Sequence, residues 1–235
     1  MRSYWSLMGN DRFRIGCTGQ TVYLLDQQGA EIAKFKDLPY AYASGISPRG
    51  DVFVIKTTEG RLAVYSFFPP ALIKKFRYSK VDGSQDDNFC FSSDGTAFFN
   101  IERQVDSLKT VLSIYDTKDF SLKKRVLDND SSRVLTGIEL EAKTEAVFLL
   151  GFIRNGNGAA SEYFVGKLNG DELDDIVSIS KNEHDFYERY LHLKMLGFSD
   201  KAYRWSGFDI ALKDLKKADY SLAALWRQHH KSNDI

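Results

Sequence analysis

The chain has 235 residues, of which 43% are hydrophobic, 14% aromatic and 27% charged. That length can bury a substantial core, and the composition is ordinary for a globular protein. The 32 basic and 32 acidic residues cancel, which excludes the global positive field that holds nucleic acid or an anionic membrane surface.

Short apolar runs then follow one another in groups of four. The first group covers 4–7, 12–17, 21–25 and 31–35, with a turn at Gly9-Asn10-Asp11. The second covers 43–46, 51–56, 61–66 and 72–76, and the third 88–91, 96–101, 111–115 and 121–126. The fourth covers 136–140, 146–153, 163–168 and 173–179, with a turn over 141–144. Some runs alternate apolar and polar residues. Others are continuously apolar, as expected of strands buried on both faces. Phe53, Ile55, Val64, Phe91, Phe99 and Ile114 are the expected core positions.

One phrase occurs twice. Ile46-Ser47-Pro48-Arg49-Gly50 precedes one apolar strand and Phe91-Ser92-Ser93-Asp94-Gly95 precedes another. Each leads on to a second strand, Leu62-Ala63-Val64-Tyr65-Ser66 and Leu112-Ser113-Ile114-Tyr115-Asp116. The closing glycine supplies the positive φ of a tight hairpin. Short strands repeating every ~40–50 residues are the pattern of β-propeller blades, each a four-stranded meander a to d.

These phrases resemble the SPDG and YD phrases of WD40/YVTN-type propeller repeats. No blade carries a Trp-Asp dipeptide or the preceding Gly-His pair, so the hydrogen-bonded network of those residues is not implied. The resemblance is to a divergent member. The expected fold is mainly β: a small or irregular β-propeller of about four four-stranded blades over residues 1–180, with a helical C-terminal appendage over 181–235.

In that appendage, Asn182 and Asp185 have the spacing of a capping box, and Phe186, Tyr190 and Leu193 follow helical spacing toward Gly197. The three apolar residues are expected to pack the appendage on the last blade. Ser199 can cap a short helix that ends at Gly207. The alternative is a fifth blade, with its turn near 197–201.

Chemistry-bearing motifs are sparse. The 82–87 loop, Asp82-Gly83-Ser84-Gln85-Asp86-Asp87, offers oxygen ligands to Ca²⁺ but lacks EF-hand order. His184 and His192 lie too far apart for one metal ion unless a third group folds between them, and His229-His230 ends the helical region. Phosphate-binding, dinucleotide and nucleophile-elbow motifs are missing from the sequence. Cys17 and Cys90 lie singly in strands, so buried free thiols are expected. The reading therefore assigns no metal, no cofactor and no catalytic residue.

The b–c and d–a connections of a propeller share one face. That geometry gathers Tyr40 and Tyr42 from the first d–a connection, Asp86 and Asp87 from the second, and Arg103 and Arg154 from the longest b–c loops. Tyr and Arg often anchor interfaces. The expectation is a non-catalytic interaction module, a monomer that binds a protein partner through this face, without nucleic acid or membrane. Two alternatives stay open. One is a propeller hydrolase or lyase with a polar site at the central channel. The other is a dedicated bacterial regulatory or immunity-type binder. The start of the chain has no apolar run of signal-peptide length, and no stretch approaches the ~18 apolar residues of a membrane span, so the expected location is the cytoplasm.

Overall fold

The computed structural model describes residues 2–80, 88–104, 109–127, 132–218 and 220–230. Among them are four antiparallel four-stranded sheets, each a meander of consecutive strands. The first holds β1 (Ser6–Gly9), β2 (Phe13–Cys17), β3 (Val22–Asp26) and β4 (Glu31–Phe35). The second holds β5 (Ala41–Ile46), β6 (Val52–Thr57), β7 (Arg61–Ser66) and β8 (Ala71–Arg77). The third holds β9 (Phe89–Phe91), β10 (Ala97–Arg103), β11 (Thr110–Asp116) and β12 (Ser121–Val126). The fourth holds β13 (Arg133–Glu141), β14 (Ala146–Arg154), β15 (Ala160–Asn169) and β16 (Glu172–Ile179).

The repeated phrase builds the same turn twice. The Gly50 N–H donates to the Ser47 carbonyl at 2.8 Å, and Ser47 N–H to that of Val52 at 3.0 Å. Gly95 donates to Ser92 at 3.0 Å and Ser92 to Ala97 at 2.9 Å, and both glycines have φ of 68°. In the fourth sheet Glu145 takes the positive-φ position and donates to Glu141. A second repeat is invisible as a motif. In every sheet the third and fourth strands slip register, at Leu24/Leu25, Val64/Tyr65, Ile114/Tyr115 and Val165/Lys167. Such bulges raise the local twist. The fourth strands of the second and third sheets are Lys-rich and largely exposed, which protects an edge from further pairing.

Two compact units emerge, residues 1–86 with 193–218 and residues 87–192 with 219–235. The first has a core of Ile15, Leu24, Phe53, Ile55, Ala63 and Tyr65, with the Phe53 and Tyr65 rings stacked at 5.1 Å. In the second unit, β14 feeds two cores because successive side chains point to opposite faces. Val147 and Leu149 join Ile101, Leu112 and Ile138. Phe148 and Leu150 join Val165, Val177 and the helical residues Leu191, Leu222 and Leu225.

Five of the six expected core residues are buried, and Phe99 is only half-buried. Its neighbour Phe98 is the fully enclosed ring of β10. Residues 199–226 are helical rather than a fifth meander: α1 (Lys181–Met195) is followed by α2 (Asp200–Ser206), α3 (Leu212–Lys217) and α4 (Leu222–His230). The capping box is Ser180–Glu183, not Asn182–Asp185. Glu183 accepts from the Ser180 N–H at 2.8 Å, and Ser180 Oγ accepts from the Glu183 N–H at 3.2 Å. The hydroxyl of Ser180 offers the shorter reach that this motif needs. Gly197 does end α1, with φ of 66° and bonds from Gly197 to Lys194 and from Phe198 to Leu193, a Schellman pattern.

The helices divide between the units. Tyr190 and Leu191 are buried in the second, where α4 is held by Glu139, which accepts from the Leu222 N–H at 2.7 Å. Leu193 belongs to the first, where the Leu7 N–H donates to the Leu196 carbonyl at 3.1 Å.

Candidate functional site

The strongest surface constellation lies on the first unit and begins at Trp5. The Trp5 N–H donates to the Cys17 carbonyl at 2.8 Å, which extends the β1–β2 ladder by one residue. Ser6 Oγ lies 2.7 Å from Ser44 Oγ in a buried contact, and the Ala41 N–H donates to the Gly19 carbonyl at 3.0 Å. Those bonds fix β5 beside β1 and bring Tyr42 within 5.8 Å of the Trp5 ring.

The helical segment completes the group. Ser199 Oγ donates to the Trp5 carbonyl at 2.7 Å and accepts from the Ala202 N–H at 3.1 Å, so one hydroxyl caps α2 and ties it to the strand. Lys201 and Trp205, one helical turn apart, then share a face. The Lys201 ammonium stands 3.9 Å from the centre of a Trp5 ring, and Trp205 lies 6.1 Å from Trp5. Trp205 is 77% exposed and Tyr40 58% exposed. Tyr40 has φ of 58°, an uncommon backbone state for a bulky residue outside the interior. A cleft of about 560 Å³ runs beside it, lined by Thr18, Gly19, Gln20, Lys36, Leu38, Pro39 and Tyr40.

Of the residues expected at the binding face, Tyr40 lies in the connection before β5, and Tyr42 lies within β5 rather than in the connection. Both belong to the first unit. Arg103 and Arg154 belong to the second, where each is the last residue of its strand, paired with Thr110 and Ala160. Asp86 and Asp87, with the rest of the 82–87 loop, lie outside the described residues. Sequence reasoning missed Trp5, Lys201 and Trp205. The available signal was a tryptophan on the polar side of a short capped helix.

Other reactive groups are accounted for by packing. Cys17 is buried as expected, and its thiol is pushed up to about 12 by desolvation; Cys90 is only partly buried, and desolvation by the groups packed on it raises its thiol as well. Both thiols stay protonated near neutral pH and are poor nucleophiles. In the third sheet, the fully buried Glu102 accepts from Tyr115 at 2.6 Å and from Asn100 at 3.1 Å. Burial, then the Glu102 charge, keep the Tyr115 phenol protonated.

His184 is buried against Tyr163 and Phe152, with Nε2 3.0 Å from Thr136 Oγ1. Potential ligand atoms of His184, Asp185 and Glu188 lie within 4.8 Å of one another. Lys181 already binds the Asp185 carboxylate, which places a cation at that corner. Among the described residues, no helix is long and apolar enough to cross a membrane.

No protein-family model matches the chain, and no curated protein matches it by sequence. Solved structures do match in shape. Hydrazine synthase from Kuenenia stuttgartiensis superposes with a TM-score of 0.57 at 13% identity, over 72% of this chain and 51% of that one. The WD40 domain of Toxoplasma gondii coronin superposes with a TM-score of 0.53 at 16% identity, over 72% of this chain and 43% of that one. The chain thus spans about half or less of these structures, and likeness at such identity speaks to fold alone. Four consecutive four-stranded meanders together with the WD40-domain match give the chain a β-propeller-like fold.

Proposed function

We propose that this chain is a non-catalytic protein-interaction module of divergent WD40/YVTN-like type, acting in the cytoplasm as a scaffold. It binds a protein partner through the surface of the first unit that carries Tyr40, Tyr42, Trp5 and Trp205. The observation that carries this reading is the run of rings from Tyr42 through Trp5 to the 77%-exposed Trp205. Large aromatic side chains held rigidly at a surface supply contact area at low entropic cost, and Trp and Tyr dominate interface energetics. Their backbone supports are bonded, so the surface is built before a partner arrives.

The test is affinity purification from native cells with the wild-type chain and with Tyr40→Ala/Trp205→Ala, each checked for folding by circular dichroism. A partner captured by the wild type and lost by the folded double variant supports the reading. A partner retained undiminished overturns this surface as the site.

A further inference from the structure

Next to the aromatic surface lies a groove of about 690 Å³ whose lining includes Arg2, Arg14, Lys201 and Arg204, with Asp200 as its acidic member. All of these belong to the first unit. We propose that this groove receives an acidic segment of the protein partner, whose carboxylates meet Arg14, Lys201 and Arg204 while the adjoining residues lie on Trp205. The inference rests on the interaction reading above and names the chemistry of the partner.

The cations differ in availability. Arg2 is committed: it pairs with Glu31 at 3.0 Å and lies 4.2 Å from the centre of the Tyr23 ring. Lys201 is held over Trp5, an interaction that leaves its ammonium able to donate. Arg14 and Arg204 are exposed and, among the described residues, carry no ion pair. Arg14 projects from β2 on the face shared with Leu25, its pairing partner, and Arg204 projects from α2. Two guanidinium groups without an ion pair and an ammonium lining one groove are complementary to several carboxylates. Each guanidinium can take a carboxylate in bidentate fashion.

An acidic peptide fits better than a nucleic acid. The chain has no net charge, so it lacks the long-range field that nucleic-acid binding draws on. The tyrosine in the groove's lining, Tyr4, meets the Tyr23 ring edge-on at 6.1 Å and is therefore engaged within the chain rather than presented to a base.

The experiment measures fluorescence anisotropy of a labelled ten-residue oligoglutamate, with oligolysine and a ten-nucleotide oligothymidylate as comparison probes, on the wild-type chain and on Arg14→Glu/Arg204→Glu. Oligoglutamate alone should bind. Binding should weaken at raised salt and fall about tenfold or more in the double variant, because exposed charge contacts are individually modest but here reversed in sign. Absence of oligoglutamate binding, or binding unchanged in the variant, overturns the proposal. Tighter binding of the oligonucleotide replaces it with a nucleic-acid groove. The same variant in the purification experiment separates the two claims. A partner lost by Tyr40→Ala/Trp205→Ala but kept by Arg14→Glu/Arg204→Glu refutes the groove and keeps the interaction reading. Oligoglutamate binding with no partner captured by the wild-type chain refutes that reading and keeps the groove.

Discussion

Ser199 and Trp5 are joined by a single hydroxyl that performs two tasks. Its proton goes to the Trp5 carbonyl at 2.7 Å, and its oxygen receives the Ala202 N–H at 3.1 Å. The cap of α2 and the position of the aromatic surface are therefore one interaction. Ser199→Ala should cost about 1–2 kcal/mol in urea unfolding, the usual loss for an N-cap hydroxyl. It should also shift the tryptophan emission, since Lys201 and Trp205 are carried on the helix it caps. An unchanged spectrum together with unchanged stability would show that α2 is held by other contacts.

Gly50 and Gly197 share nearly the same backbone, with φ of 68° and 66°. Their surroundings differ. A Cβ at Gly50 would meet nothing within 4 Å, whereas one at Gly197 would fall 2.2 Å from the Leu7 carbonyl oxygen. Gly50→Ala should cost about 1 kcal/mol, the left-handed backbone penalty alone. Gly197→Ala should cost about 3 kcal/mol or more, because the α1 terminus must also move off β1. Equal losses in thermal unfolding would contradict the close approach.

Phe98 and Phe99 are consecutive in β10 and point to opposite faces. Phe98 is fully buried among Phe89, Phe91 and Phe120, and Phe99 is half-buried at the edge of the second unit's core. Phe98→Ala should cost about 3–5 kcal/mol by denaturant titration. Phe99→Ala should cost clearly less, as part of its ring is already in water. The reverse order would mean that β10 is displaced by one residue.

His184 gives the fold a pH dependence. Burial lowers its pKa below the ordinary value of 6.5, outweighing the opposing pull of Asp185. Above pH 6.5 both folded and unfolded chains hold it neutral, and its contribution is fully present. As pH falls below 6.5 the unfolded chain takes up the proton first, so stability declines until the folded-state pKa is passed. Unfolding free energies of the wild type between pH 7 and 5 should show this decline, and His184→Gln should flatten it. An equal slope in both proteins would assign the dependence elsewhere.

The propeller-like meander was legible in the sequence because it is written locally. Ser47 to Gly50 and Ser92 to Gly95 specify their turns within a few residues, and the apolar runs after them specify strands. Gly197 and Gly207 likewise mark helix ends through a backbone state that few other residues adopt. The choice between Phe98 and Phe99 was not legible, since two adjacent aromatics satisfy either register and only the pairing of Phe98 with Phe91 and Tyr115 decides which is enclosed. The candidate surface was half legible. Tyr40 and Tyr42 stood out in a connection beside Pro39. Trp5 and Trp205 stand two hundred residues apart, at roughly opposite ends of the chain, and no spacing rule relates them. The bond from Ser199 to Trp5 brings them together, and a hydrogen bond between distant segments exists only once the chain has folded.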